Sequence, residues 1–305
     1  MSTTTPVSTG IAADIAIDAV ERTAHEPQTF RRRFNPRLLI VHALLIIGAF
    51  IMALPFIWMI LSGFKPLDEI FAQPPKIFPR AWTTMNYETA FTGANFALGF
   101  FNSFYIAITV VIVSTVTSAM AAYAFARIRF IGNGPLFMIF LATMMVPIQL
   151  TIIPLYVIMG KIQWIDTHLS IIVPAALFNA FGVFLLRQYV RGIPVELEEA
   201  AAIDGASRVR IFFGIIVPLL RTPMVALGIF TFLGQWNSFF YPLIFLNSEN
   251  KFTIQLLVNQ FKGVYSSDWG ALMAAATLAA APLLIIFIVA QRQIVEGIAL
   301  SGSKT

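Results

Sequence analysis

The side chains best suited to chemistry gather in one stretch, Pro194 to Pro223, which reads P-V-E-L-E-E-A-A-A-I-D-G-A-S-R-V-R-I-F-F-G-I-I-V-P-L-L-R-T-P. Glu196, Glu198 and Glu199 bring three carboxylates together, and Arg208, Arg210 and Arg221 follow. No paired acid and base and no nucleophile constellation accompanies them, so the composition suits recognition by charge and shape rather than bond making. The chain has no Cys, which excludes thiol catalysis, disulfides and Cys-ligated metal. Its three His (His25, His42, His168) lie far apart and form no H-E-x-x-H pattern. A G-x-x-x-x-G-K-[ST] loop is absent as well, so any ATP must be hydrolysed elsewhere.

The local order of the stretch is helical. Pro194 fits the first turn of a helix, where its missing N–H is harmless. The glutamates then place negative charge at the positive end of the helix dipole, and Ala200, Ala201 and Ala202 favour continuation. Gly205 ends the helix by taking a left-handed conformation. A second short helix is expected from Ser207 to about Val217, where Pro218 disfavours continuation, and Thr222-Pro223 caps the next element. This describes a short surface helix acting as a docking surface; the competing reading is a polar connecting loop.

The elements on either side of it are apolar. Of the 305 residues 58% are hydrophobic and only 11% charged, against about a quarter in a soluble globule, and the mean hydropathy is +0.80. An all-α integral membrane protein is expected. Runs long enough to cross a hydrocarbon core, about 20 residues each, lie near 38–61, 99–125, 135–158, 169–190, 223–246 and 269–291, which predicts six transmembrane helices. Fourteen of the 20 Lys and Arg fall in the two termini and the 126–134 and 187–222 connections, and six in the others. The positive-inside rule therefore puts both termini and the 191–222 loop in the cytoplasm, with the 62–98, 159–168 and 247–268 loops outside. Trp164 and Trp269 then sit at the outer interface. The net charge of +5 belongs to this orientation signal rather than to a nucleic-acid surface. Residues 1–37 read as a mobile cytoplasmic tail rather than a secretory signal, since Asp14, Asp18, Glu21 and Glu26 lie within it and the first apolar run is too long. The 62–98 loop, with Pro74, Pro75 and Pro79, is expected to be irregular with a short helix around Asn86 to Phe91.

The spans also carry groups that lipid anchors do not need: Ser114, Thr115, Thr117 and Ser118; Pro147, Gln149 and Pro154; Pro174 and Asn179; Gln235, Asn237 and Pro242. In lipid these are costly unless they face protein or water. One reading is a transport cavity with Asn179, Gln235 and Asn237 along the substrate path. The other is that hydroxyls bond back to their own helix and amides bridge neighbours. No Asp or Glu lies well inside a span, which weakens the alternative of a stand-alone secondary carrier or channel for a neutral solute. The alanines from Ala271 to Ala281 suit close helix packing.

Glu199-Ala200-Ala201, three residues, Gly205, nine residues, Ile215, one residue and Val217-Pro218 resembles the E-A-A-x3-G-x9-I-x-L-P signature of ABC importer membrane subunits, with Val217 where Leu is usual. The likeness extends through Asn86-Tyr87, Asn102-Ser103, Ala122-Tyr123-Ala124, Val146-Pro147, Pro154-Leu155-Tyr156, Asp166-Thr167, Trp236-Asn237 and Asp268-Trp269-Gly270 to Gln291-Arg292, Gly297, Gly302 and Lys304. Together these are similar to the maltose-type carbohydrate permeases, the smaller membrane subunit; residues 1–37 lie outside the likeness. The resemblance implies a type I ABC importer permease fold over 38–291 and a cytoplasmic tail at 292–305 that reaches between the ATPases. It also implies a second, homologous permease subunit, two ABC ATPase subunits that bind ATP and Mg, an extracytoplasmic solute-binding protein and a sugar substrate, in a bacterial or archaeal plasma membrane. Glu199, Ala200, Ala201, Asp204 and Gly205 would form the coupling helix that seats in an ATPase cleft, and no cofactor would be held by this chain.

Overall fold

In the computed structural model, residues 36–93, 95–262 and 268–302 are described, with side chains from 38 to 291 within them. The chain divides into Met1–Leu54 and Pro55–Thr305. In the first unit the described residues belong to α1 (Pro36–Ser62), an apolar helix with exposed side chains from Leu38 to Met52. The regular elements of the second are helical. Among the described residues four helical stretches, Leu38–Ser62, Phe96–Arg127, Leu169–Gly192 and Trp269–Gln291, are long and apolar enough to cross a membrane; two bent pairs bring the total up to six.

After α1 come the short helices α2 (Leu67–Ile70) and α3 (Met85–Thr92), the latter close to the short helix expected at 86–91. The long helix α4 (Phe96–Arg127) follows. At 1.5 Å per residue its 32 residues extend about 48 Å, and Arg127 in its last turn complements the negative end of the dipole.

The third span is not the single helix expected at 135–158. Helix α5 (Asn133–Ala142) passes through a 3-10 turn, Thr143–Met145, and α6 (Ile148–Lys161) leaves at 103° to it. The bend falls at Val146-Pro147: proline pushes the residue before it out of the helical region, and Val146 is extended with ψ 117°. The fourth span also breaks, between α7 (Leu169–Leu177) and α8 (Ala180–Gly192), just after Pro174.

Helix α9 (Glu196–Ile203) leads through Gly205, with φ +82°, to α10 (Arg208–Ile211). Ser207 caps α10, accepting a hydrogen bond at Oγ from the Arg210 N–H at 3.4 Å. The second short helix starts as expected after Ser207, passes Pro218 and stops at Leu219, two residues beyond the expected Val217. A π-helical turn, Phe212–Ile216, carries the chain into α11 (Val217–Leu219), where Pro218 lies in the opening turn and its missing N–H costs no hydrogen bond. The chain then turns by 74° into α12 (Arg221–Trp236), so the fifth span ends ten residues earlier than the expected 246. Phe240–Phe245 forms a separate helix, α13. Helix α14 (Ile254–Gln260) precedes α15 (Trp269–Gly302), which continues as helix past Gln291 into the expected 292–305 tail; residues 303–305 lie outside the described part.

Helix α4 is the spine, packed against α7, α8 and α12. Small residues allow the approach: a Cβ at Gly182 would lie 2.7 Å from Ser118 Oγ and 3.0 Å from Leu227 Cδ2. One core group joins Tyr123, Leu186, Val190, Phe212 and Ile216 beside the 191–222 loop. Another gathers Phe96, Phe232, Trp236 and the alanines of α15. Trp236 stacks on Phe232 at 5.6 Å and donates from Nε1 to the Ala279 carbonyl at 2.9 Å, satisfying the indole inside the bundle.

Candidate docking loop and transport cavity

Helix α9 leaves most of its surface open. Glu199, Ala200, Asp204 and Gly205 are exposed, Ala201 is half-buried against the core group beside Tyr123, and Ile203 is 86% exposed. The five residues expected to meet an ATPase therefore share one short helix and its C-terminal turn. No atom lies within 4 Å of the position a Gly205 Cβ would take, so the glycine answers to its backbone conformation, not to crowding within the chain.

Glu198 behaves differently from its neighbours. Its Oε1 accepts from Arg127 Nε at 2.6 Å and its Oε2 accepts from the Tyr123 hydroxyl at 2.9 Å. A second arm of the same guanidinium donates from Nη2 to the Ile193 carbonyl. The pair is largely removed from solvent, with side-chain exposures of 16% for Arg127 and 11% for Glu198. From sequence Glu198 was one of three carboxylates serving a helix dipole; its partner lies 71 positions away, and no local spacing signals it.

A cavity of about 1070 Å³ opens among α5 to α8, α12 and α13. Aromatic faces of Phe140, Phe178, Phe181 and Phe230 meet a few polar groups from Thr151, Thr231 and Gln235, and no charged side chain lines it. Of the three amides expected on a substrate path, Asn179 and Gln235 reach this cavity. Asn237 does not line it: it caps α12, and its Nδ2 donates to the Leu233 carbonyl of its own helix at 2.9 Å. Asn179 is already committed, capping α8 through Oδ1 to the Gly182 N–H at 2.8 Å and donating to Ser114 Oγ at 2.9 Å.

A family described as binding-protein-dependent transport system inner membrane components matches residues 114–299. The chain belongs to that family. The permease is 35% identical over 82% of its length to a probable ABC transporter permease of Bacillus subtilis, covering 83% of that protein. It is 33% identical over 90% of its length to an arabinooligosaccharides transport system permease of Halalkalibacterium halodurans, covering 99% of it. With a lactose transport system permease of Rhizobium radiobacter it shares 32% identity over 88% of this chain and 97% of that one. Among solved structures, a chain of a bacterial ABC transporter involved in the import of the acidic polysaccharide alginate aligns with a TM-score of 0.75 at 21% identity, covering 85% of this permease and 97% of that chain. The permease is thus a multi-pass membrane protein with the fold of type I ABC importer permeases.

At the end of α4 away from the docking loop, the permease is tied by polar contacts that the sequence did not reveal. Asn102 donates from Nδ2 to the carbonyls of Asn250 and Phe252 at 3.1 and 3.0 Å, and Ser103 Oγ accepts from the Ile254 N–H at 2.8 Å. Asp166, in a left-handed conformation with φ 57°, accepts from the Ser248 hydroxyl, the N–H groups of Ser248 and Asn247, and Lys251 Nζ at 2.9 Å. The Ser248 and backbone donors hold its carboxyl well below the usual carboxylate range. Lys65 is fully buried, with Nζ on the Lys76 carbonyl at 2.6 Å and 4.0 Å above the Trp58 ring; burial pushes its ammonium pKa down.

Proposed function

We propose that this permease forms half of the translocation pathway of a sugar or oligosaccharide importer and receives the work of ATP hydrolysis through α9. The observation that carries the reading is the short α9 and its C-terminal turn, which expose Glu199, Ala200, Asp204 and Gly205 with Ala201 half-buried behind them, set between membrane segments in a chain that has no phosphate-binding loop. Partner ATPases, two in number, bind ATP and Mg; a homologous permease completes the pathway, and an extracytoplasmic binding protein delivers the solute. The chain itself is a transport subunit and not an enzyme. Both termini and the 191–222 loop face the cytoplasm, on the side carrying the excess of Lys and Arg. The relatives named for arabinooligosaccharides and lactose support a carbohydrate, and a cavity with aromatic faces, hydroxyls and no charge favours a neutral one.

The experiment is uptake of a panel of radiolabelled neutral and acidic saccharides by cells carrying the permease with its neighbouring permease, ATPase and binding-protein genes, each deleted in turn. Uptake of a neutral saccharide that disappears with any deletion supports the reading. Undiminished uptake without the ATPase makes the protein a stand-alone carrier, and transport of acidic saccharides alone overturns the substrate class.

A further inference from the structure

We propose that the Arg127–Glu198 pair, backed by Tyr123, is the rigid link through which movement of α9 enters the membrane helices, and that α4 is the element it moves. This rests on the reading of α9 as the ATPase-docking helix.

Four observations support the link. Among the three glutamates of α9, Glu196 and Glu199 are exposed while Glu198 turns inward, using both carboxylate oxygens on α4. Tyr123 and Arg127 are four residues apart and so share one face of that helix. Each member also sits where a helix dipole favours it: the carboxylate in the first turn of α9 and the guanidinium in the last turn of α4. Arg127 in addition holds the Ile193 carbonyl, where the chain leaves α8, so one side chain fastens three segments.

The apolar contact of Ala201 with the neighbouring core group is non-directional and permits sliding. The charge-assisted hydrogen bonds are short and directional, and they resist it. Beyond the junction α4 carries the movement to the rest of the bundle. Midway, Ser114 and Thr117 hold Asn179 and the Ala176 carbonyl at the broken fourth span. At the far end Asn102 and Ser103 hold the 250–254 segment. A displacement of α9 thus reaches the cavity wall and the opposite side of the bundle through one continuous helix. Glu198 and Arg127 are positioning residues, distinct from the exposed Glu199 and Gly205 that would meet the partner.

The test uses the absence of Cys. Single cysteines replacing Ala202 on α9 and Met120 on α4 are spin-labelled in the full complex, co-expressed with its partner subunits and placed in lipid nanodiscs. The label separation is read by pulsed electron resonance without nucleotide and after ATP–vanadate trapping with the binding protein. The separation is expected to be narrow and the same in both states. In Arg127→Ala and Glu198→Ala it should broaden and shift between states, with loss of binding-protein-stimulated ATP hydrolysis while the ATPase still co-purifies. The defect of the double variant should fall short of the sum of the two single defects, because both remove the Arg127–Glu198 contact. Glu198→Gln, which keeps the size and one acceptor oxygen but removes the charge, should give a partial uncoupling of the same kind if the alanine variant fails to assemble. A narrow, state-independent separation with full stimulation in Glu198→Gln and Arg127→Ala overturns the link. Gly205→Asp separates the two readings: if it retains the ATPase and full stimulation, docking through α9 itself is wrong; if it sheds the ATPase while the Glu198 and Arg127 variants stay coupled, only the link falls.

Discussion

Asn179 donates to Ser114 across 2.9 Å, joining the break in the fourth span to the central helix. Next to it, Thr117 donates to the Ala176 carbonyl at 3.0 Å. A helix can be interrupted at membrane depth only where the freed backbone groups find protein partners. Thr117 of α4 satisfies one such carbonyl directly, and Ser114 holds the Asn179 side chain that caps α8; both belong to the run of hydroxyls that distinguishes α4 from a simple lipid anchor.

The geometry separates the two amides that reach the cavity. Asn179→Ala removes the cap of α8 and the bond to Ser114, costing about 1 kcal/mol or more; it should lower the thermal unfolding midpoint of the purified complex. Gln235 lines the cavity without such a task, so Gln235→Leu should leave the midpoint unchanged and weaken uptake. Differential scanning fluorimetry beside uptake assays distinguishes them, and equal midpoints for the two variants would contradict the assignment.

Gly205 predicts a defect at the partner and not in the fold. Its φ of +82° disfavours any residue with a Cβ by about 1 kcal/mol, while the space around it is open. Gly205→Asp should therefore insert and fold but lose co-purifying ATPase, and more severely than Glu199→Ala. Affinity pull-down from solubilised membranes checks this; equal retention in the two variants counts against it.

Asp166 carries a pH dependence confined to acid. Because its carboxyl pKa is held down by the Ser248 and backbone hydrogen bonds, its stabilising contribution is complete above the ordinary carboxylate pKa of about 4. It is lost as pH falls below that value and through the lowered folded-state pKa. At neutral pH Asp166→Asn should loosen Lys251, which loses its carboxylate partner and keeps the Asp166 carbonyl, and speed tryptic cleavage after it. The wild type should resist cleavage there at neutral pH, and hydrogen exchange at Asn247 and Ser248, corrected for intrinsic rates, should show their protection retained at pH 5 and lost only in stronger acid.

Trp236 should be the costliest single truncation of the buried bundle. It is 1% exposed, stacked on Phe232, edge-on to Phe100 at 5.2 Å and bonded to Ala279. Trp236→Ala is expected to cost about 3–5 kcal/mol, whereas Trp236→Phe retains much of the packing and loses the indole hydrogen bond. Thermal unfolding should rank wild type above Trp236→Phe and Trp236→Ala lowest; the reverse order of the two variants would show that the hydrogen bond is not the smaller part.

Composition and apolar run length are enough to mark the chain as a multi-pass, all-helical membrane protein, because burying uninterrupted apolar chain in lipid depends on length and charge. The spacing from Glu199 to Pro218 marks the family, and the left-handed turn at Gly205 follows from the one residue type that adopts it freely. The paths of the broken spans were not legible in the same way. Pro147 and Pro218 look alike as helix breakers, yet the chain bends by 103° at the first, while it passes the second as helix and turns by 74° only after Leu219. The turns that precede them differ in hydrogen-bond register, 3-10 in one case and π in the other. Likewise Glu198 and Glu199 are adjacent carboxylates on one short helix, and only the approach of Arg127 and Tyr123 from a distant segment turns one inward and leaves the other to solvent. Local propensity acts through the nearest few residues, whereas a buried polar group is decided by whichever helix packs against it, and that choice exists only once the bundle has formed.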